Sequence, residues 1–192
     1  MPKVVDIEQR RAQLTEATAR LIARSGIESA TMREVAAEAG WTTGALTHYF
    51  ADKRELLLTT FQTSLDNRRS QRPTDADAAP AAQLRASLEG ALPIDESRRR
   101  HWMVTIAFCS HAKGDPELAA AQRAAYREFR AHIGALAERC ELADASNAEA
   151  CAERLIAVAD GIAVQALFDE RSWSPDRQLA RLDELLTPLG VR

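Results

Sequence analysis

The chain has 192 residues, 46% of them hydrophobic and 28% charged, with a net charge of -3, an ordinary balance for a globular protein long enough to bury roughly 70% of its unfolded surface without a metal or a disulfide. No run of about 18 apolar residues is present, and the polar start MPKVVDIEQRR lacks the apolar core of a signal peptide, so a cytoplasmic protein with no membrane partner is expected. There is no basic surplus of the kind that advertises nucleic-acid binding; the first 55 residues hold eight Lys and Arg against eight Asp and Glu, so any DNA contact has to come from local placement.

Alanine and leucine dominate, strand-type runs are absent, and apolar residues recur at helical spacing, which predicts an all-α fold of about nine helices. The first runs from about residue 6 to 24, with Ile7, Leu14, Ala17 and Leu21 on one stripe, and Ser25-Gly26 stops it. Thr31-Met32-Arg33-Glu34 fits an S/T-x-x-E capping box, in which the threonine accepts from the amide three residues on and the glutamate reaches back. A second helix therefore starts near Thr31 and ends at Gly40. Thr42 or Thr43 caps a third helix, and Asp52 caps a fourth whose buried side is Leu56, Leu57, Phe61 and Leu65.

After Arg72 the composition changes: PTDADAAPAA reads as a loop or linker. Helices follow near residues 81–92 and 97–111. Asp115-Pro116 and Ser174-Pro175 repeat a cap-then-proline signal and open a long helix to about residue 141 and a last one ending near Pro188, with another helix near residues 147–169 between them.

The third helix is a poor core element. Only Leu46 and Phe50 share an apolar face, four residues apart; the rest of TTGALTHYF is hydroxyls, a glycine, a small residue, an imidazole and a phenol. Two short helices joined by Ala39-Gly40-Trp41-Thr42 match a helix-turn-helix, whose second helix enters the major groove. The unpaired groups then have their partners on another molecule. Thr43 and Ala45 are small enough for close approach, Thr47 suits a base edge or a thymine methyl, and Thr31, Thr42, His48, Tyr49 and Lys53 suit phosphate oxygens.

The segment GIESATMREVAAEAGWTTGALTHYFADKREL resembles the DNA-binding domain of the tetracycline-repressor (TetR) family over about residues 8–57, above all in Gly44-x-Leu46-x-His48-Tyr49-Phe50-x-x-Lys53-x-x-Leu56. The resemblance implies a homodimeric, ligand-responsive transcriptional repressor that binds a pseudo-palindromic operator. It implies a helix-turn-helix domain at residues 1–52 and a helical effector-binding and dimerisation domain at residues 53–192. Carried over by position, it puts recognition-helix contacts at Thr42, Thr43, Gly44, Thr47, His48 and Tyr49, and phosphate contacts at Thr31 and Lys53. Trp41, Thr43 and Thr47 depart from the family's usual residues; Trp41 reads as a packed turn residue. The tail, from Asp160-Gly161-Ile162 through Trp173-Ser174-Pro175, looks like the C-terminal domain of the choline/betaine-repressor subgroup.

The helix near residues 147–169 is apolar on more than one face, so it packs on two sides. With the last helix it forms an expected dimer interface: Leu155, Val158, Gly161, Ile162, Leu179, Leu182 and Leu186. Gly161 costs about 1 kcal/mol mid-helix relative to alanine, which close approach of another helix justifies. Trp102, Met103, Ile106, Tyr126 and Phe129 are the candidate effector contacts, although an aromatic stripe at helical spacing is also ordinary core. The three cysteines, Cys109, Cys140 and Cys151, suggest buried reduced thiols, with a Cys140–Cys151 redox pair as the alternative. His101, Cys109, His111 and His132 match no metal-ligand spacing, so no metal and no cofactor are expected. No nucleophile elbow, phosphate loop or zincin motif occurs, so the chain reads as no enzyme.

Overall fold

Nine α-helices and no strand make up the described residues, 7–70, 77–112 and 114–191, of the structure, a computed structural model. They are α1 (Ile7–Ser25), α2 (Met32–Glu38), α3 (Thr43–Leu46), α4 (Lys53–Ser70), α5 (Pro80–Glu89), α6 (Glu96–Ala112), α7 (Pro116–Arg139), α8 (Ala148–Phe168) and α9 (Pro175–Leu186), with 3-10 turns at Ile27–Ser29 and Thr187–Leu189. Asp6 and residues 73–76 of the expected loop lie outside the described residues. No helix among the described residues is long and apolar enough to cross a membrane.

The chain divides into two compact units. The first runs through Asn67 and takes in Met103–Ala119; the second comprises Arg68–Trp102 and Ala120–Arg192. The expected boundary between residues 52 and 53 falls inside the first unit, because α4 contributes to its core. Leu14, Ile22, Val35, Leu46, Phe50, Leu56 and Phe61 are all essentially buried there, and Phe61 of α4 stacks on Phe108 of α6 with ring centroids 4.9 Å apart. Arg54 of α4 also binds Asp115 at 2.8 Å and Glu117 at 2.7 Å, in the cap and first turn of α7.

The second unit packs α5, α7, α8 and α9 around Leu84, Leu88, Phe129, Ile133, Leu155, Ile156, Ile162, Leu182 and Leu186. At Gly134 of α7 an added Cβ would lie 3.4 Å from the Ala148 carbonyl, so the glycine lets α7 pass close to the start of α8. Trp102 donates its indole N–H to the Ala91 carbonyl at 2.7 Å, the partner that a buried indole needs. The run Arg98-Arg99-Arg100 separates into two roles. Arg98 and Arg100 pair with Asp95 and Glu96 within the first turn of α6. Arg99 donates to the Ala166 and Leu167 carbonyls at 3.2 and 3.0 Å, placing a cation on the negative end of α8. Of the cysteines, Cys151 is buried, Cys140 half-buried and Cys109 exposed, so the buried reading does not extend to Cys109.

Phe61 has no exposed surface, and truncating a buried phenylalanine removes both its transfer energy and its packing. Phe61→Ala should lower the unfolding free energy by about 3–5 kcal/mol in a chemical-denaturation experiment; a loss under about 1 kcal/mol would contradict the stacked-core assignment.

Candidate nucleic-acid interface

The approach to α3 begins at Thr31. Its hydroxyl accepts from the Glu34 amide at 3.2 Å and donates to the Glu34 carboxylate at 3.1 Å. The reciprocal half of the expected capping box is not formed: the Thr31 amide goes instead to the Ser29 carbonyl at 2.8 Å. Glu34 is drawn to Arg33 at 3.0 Å, and that hydrogen bond, followed by the one from Thr31, holds its carboxyl below the usual carboxylate range. The Thr31 donor is thus already engaged within the chain.

Helix α2 ends in a Schellman motif. The Trp41 amide reaches the Ala36 carbonyl at 2.7 Å and the Gly40 amide reaches Ala37 at 3.1 Å, which requires Gly40 at φ 73°, a left-handed conformation that favours glycine. Thr42 then caps α3 by accepting from the Ala45 amide at 3.2 Å. The helix spans only Thr43–Leu46; Thr47, His48 and Tyr49, expected within it, lie in the tightened turn beyond. There His48 bonds back to Ala45 at 3.3 Å and Tyr49 to Leu46 at 2.9 Å, the three-residue spacing that satisfies helix ends.

Leu46 and Phe50 are wholly buried beneath this turn. Arg11 of α1 secures the chain just past it: its guanidinium lies 4.2 Å from the Phe50 ring centroid, donates to the Tyr49 carbonyl and pairs with Glu55 at 3.1 Å. Above the buried pair, Thr43, Gly44, Thr47 and His48 are exposed and Tyr49 is half-buried. Thr47 donates to the Gly44 carbonyl at 2.8 Å, leaving its oxygen lone pairs available. Among the described residues, the Thr43 hydroxyl, the His48 imidazole and the Tyr49 hydroxyl make no hydrogen bond. An added Cβ at Gly44 would meet no atom within 4 Å and its φ is not left-handed, so the fold itself does not demand a glycine there. Lys53 opens α4 with a long 3.9 Å contact to Glu28. Trp41 is half-buried, with Tyr49 edge-on at 5.4 Å and the Arg10 guanidinium 5.1 Å from its ring.

The expected effector residues separate. Met103 and Ile106 belong to the first unit and are half-buried, whereas Trp102, Tyr126 and Phe129 belong to the second. In the second unit the Tyr126 hydroxyl donates to Asp160 of α8 at 2.9 Å, and the Arg68 guanidinium lies 4.4 Å from the Phe129 ring centroid. Burial pushes the Asp160 carboxyl above its ordinary value, against the pull of Tyr126 and Arg68. Sequence reasoning named Asp160 only as part of the C-terminal resemblance and gave it no role; its place on the broadly apolar α8 was the available signal.

The expected interface set also divides. Leu155, Ile162, Leu182 and Leu186 are turned into the core of their own chain, because α8 and α9 pack against α5 there, and Leu179 is half-buried. Val158 and Gly161 lie instead on an exposed face of α8, continued by Ala157, Val164 and Phe168; Phe168 is 81% exposed. Val164 and Phe168 continue the helical stripe of Val158 and Gly161. An added Cβ at Gly161 would meet nothing within 4 Å, so no described helix of this chain accounts for that glycine. Among the described residues no group of three or more His, Cys, Asp and Glu is placed to hold a metal ion.

Helix, glycine turn and short second helix with a free polar surface define a helix-turn-helix regulator, and comparison with known proteins agrees. Residues 14–60 match the family described as bacterial regulatory proteins, tetR family, and residues 80–190 match the BetI-type transcriptional repressor C-terminal domain. The chain is 33% identical over 181 residues to the transcriptional regulator PksA of Bacillus subtilis, covering 92% of this chain and 88% of that one. It is 33% identical over 165 residues to the regulator BetI of Burkholderia mallei, covering 84% of each. Among solved structures, a transcriptional regulator from Rhodococcus sp. Rha1 superposes with a TM-score of 0.83 at 29% identity, over 93% of this chain and 95% of that one. A regulator from Saccharomonospora viridis in complex with choline shares the fold, with a TM-score of 0.85 at 22% identity over 94% and 96%. The chain belongs to the TetR family of bacterial regulators, with a BetI-type C-terminal domain. It is a transcriptional regulator and not an enzyme.

The raised Asp160 pKa has a stability consequence. The folded state keeps this proton to higher pH than the unfolded chain does, so the contribution of Asp160 is most favourable below its ordinary value of 3.8 and is lost as pH rises through the elevated one. Asp160→Asn should therefore gain stability relative to the parent as pH is raised from about 4 to 7. Unfolding midpoints measured across that range check this; a difference that does not change with pH would contradict it.

Proposed function

We propose that the chain is a ligand-responsive repressor that binds a pseudo-palindromic DNA operator as a homodimer and is released by a small-molecule effector. The observation that carries this reading is the polar surface of the α3 turn, where Thr43, His48 and the Tyr49 hydroxyl are unpaired among the described residues while Leu46 and Phe50 beneath them are buried. Thr43, Gly44 and Thr47 approach base edges, the bare Gly44 backbone allowing close contact there, and Thr42 takes a phosphate. His48, Tyr49 and Lys53 take phosphates, as does the helix start at Thr31, where amides and a positive dipole end meet the anion.

Dimerisation supplies the rest. A four-residue helix touches too little DNA for specificity, and two related by a twofold axis read half-sites about one helical turn apart. The exposed face of α8 at Val158, Gly161, Val164 and Phe168 supports a helix-to-helix contact with a second copy, Gly161 setting the distance of approach. The effector contacts proposed in the second unit are Trp102, Tyr126 and Phe129. The choline of the Saccharomonospora viridis regulator supports an organic cation as one effector chemistry, since aromatic faces attract such ligands and Phe129 already carries the Arg68 guanidinium. Release follows from differential affinity of the effector for two conformations, and a coupling of about 1–3 kcal/mol weakens DNA binding by about 5- to 150-fold.

Two measurements test the reading. Fluorescence anisotropy with duplexes tiled from the DNA bordering the protein's own gene should find one pseudo-palindromic tile bound tightly. Thr47→Ala/His48→Ala should abolish that preference with the circular-dichroism spectrum unchanged; a double variant that still prefers the tile would remove Thr47 from base reading and His48 from operator binding. In sedimentation, Gly161→Leu should shift dimer towards monomer, and an unchanged profile would count against the α8 contact.

A further inference from the structure

We infer that Arg10, stacked on Trp41, is an additional DNA-phosphate contact lying outside the helix-turn-helix, and that Trp41 is the residue that positions it. This rests on the DNA-binding reading above and adds a residue of α1 to it.

The first ground is charge accounting. Every other Arg or Lys described in the first unit is tied to a carboxylate: Arg11 to Glu55 at 3.1 Å, Arg20 and Arg24 to Glu38 at 3.3 and 2.8 Å, Arg33 to Glu34 at 3.0 Å, Lys53 to Glu28 at 3.9 Å and Arg54 to Asp115 at 2.8 Å. Arg10 has no carboxylate partner among the described residues; its interactions are a long 3.4 Å hydrogen bond to Gln13 and the Trp41 ring. Among the described arginines of the unit it is the one without a carboxylate, and with Lys53, whose contact to Glu28 is long, it is left to meet an anion. Its neighbour Arg11 shows the contrast, being spent on Phe50, the Tyr49 carbonyl and Glu55.

The second ground is position. Trp41 directly precedes the Thr42 cap of α3 and lies edge-on to Tyr49 just beyond the helix's other end. Arg10, at 5.1 Å from the same indole, therefore stands beside the proposed DNA surface. Glu16 and Glu38, which line a surface groove together with Trp41, are held by Arg20 and Arg24, which limits their repulsion of a phosphate.

The third ground is the chemistry of stacking. A guanidinium lying on an aromatic face uses its π surface for the ring and keeps its edge of N–H donors for the oxygens of a phosphate. Holding the long side chain on the indole also removes part of the rotamer freedom that a phosphate contact must otherwise quench. An indole at this turn position thus has a purpose that a smaller apolar residue would not serve.

The test uses the full-length protein and a duplex of arbitrary sequence about two helical turns long, so no operator is needed. Binding is measured by anisotropy between about 50 and 200 mM salt, where each phosphate contact contributes about 0.9 to the slope of log K against log salt. Arg10→Gln should make the slope shallower by about 0.9 for each protomer engaged, Arg10→Lys should stay near the parent, and Trp41→Leu should cost little once Arg10→Gln is present. Trp41→Phe should bind better than Trp41→Leu, and circular dichroism should report the same fold throughout. An unchanged slope in Arg10→Gln, with the parent protein binding, overturns the inference and leaves DNA binding standing. Fully additive losses for Arg10→Gln and Trp41→Leu overturn the positioning role of Trp41. A parent protein that binds no duplex overturns the inference and the DNA-binding reading together.

Discussion

A helix of four residues cannot hold itself in place. Nucleating a helical turn fixes several backbone dihedrals for a single hydrogen bond, and isolated helices much longer than α3 are marginal in water. The conformation of the α3 segment is therefore imposed from outside: by Leu46 and Phe50 in the core, by the Schellman turn at Gly40, by the Thr42 cap and by Arg11 gripping the chain beyond Tyr49. This division of labour frees the exposed side chains of the segment from any structural duty. Thr43, His48 and the Tyr49 hydroxyl remain available because other residues do the holding.

The same economy governs charge. The first unit offers DNA no surplus of positive charge, and its arginines are mostly engaged in tying α1 to α2 and α4, or α4 to the start of α7. On the proposed reading, a surface assembled this way meets the backbone with helix starts, hydroxyls, Arg10 and Lys53, and draws its specificity from a short polar segment. In the second unit α8 is used on two sides: Leu155, Ile156 and Ile162 complete the intrachain core, while Val158, Val164 and Phe168 face outward.

The sequence was informative where a local rule has one solution. The threonine cap, the glycine stop, the Asp-Pro and Ser-Pro starts and the helical spacing located the nine described helices within a few residues, and the polar content of TTGALTHYF marked a surface short of internal partners. It was less informative where the outcome depends on neighbours. The glutamate of the Thr31 box turned to Arg33 and the threonine hydroxyl, a choice that local spacing does not decide. Thr47 to Tyr49 left the helix because Leu46 and Phe50 had to reach the core over a tightened turn. On α8, Leu155 and Val158 are both apolar and only three residues apart, so telling the core side from the outer side requires knowing where α5 and α9 lie. The role of Asp160 escaped notice because a single carboxylate in an apolar stretch carries no spacing signal; its meaning comes from Tyr126, thirty-four residues earlier in the chain.

The central claim is that two copies of this α3 segment read one operator. Hydroxyl-radical footprinting of the DNA bordering the protein's own gene tests it most directly. The account predicts two protected patches related by twofold symmetry, with centres about one helical turn apart. A single unsymmetrical patch, or cleavage that stays uniform at protein concentrations where the DNA is bound, would contradict it.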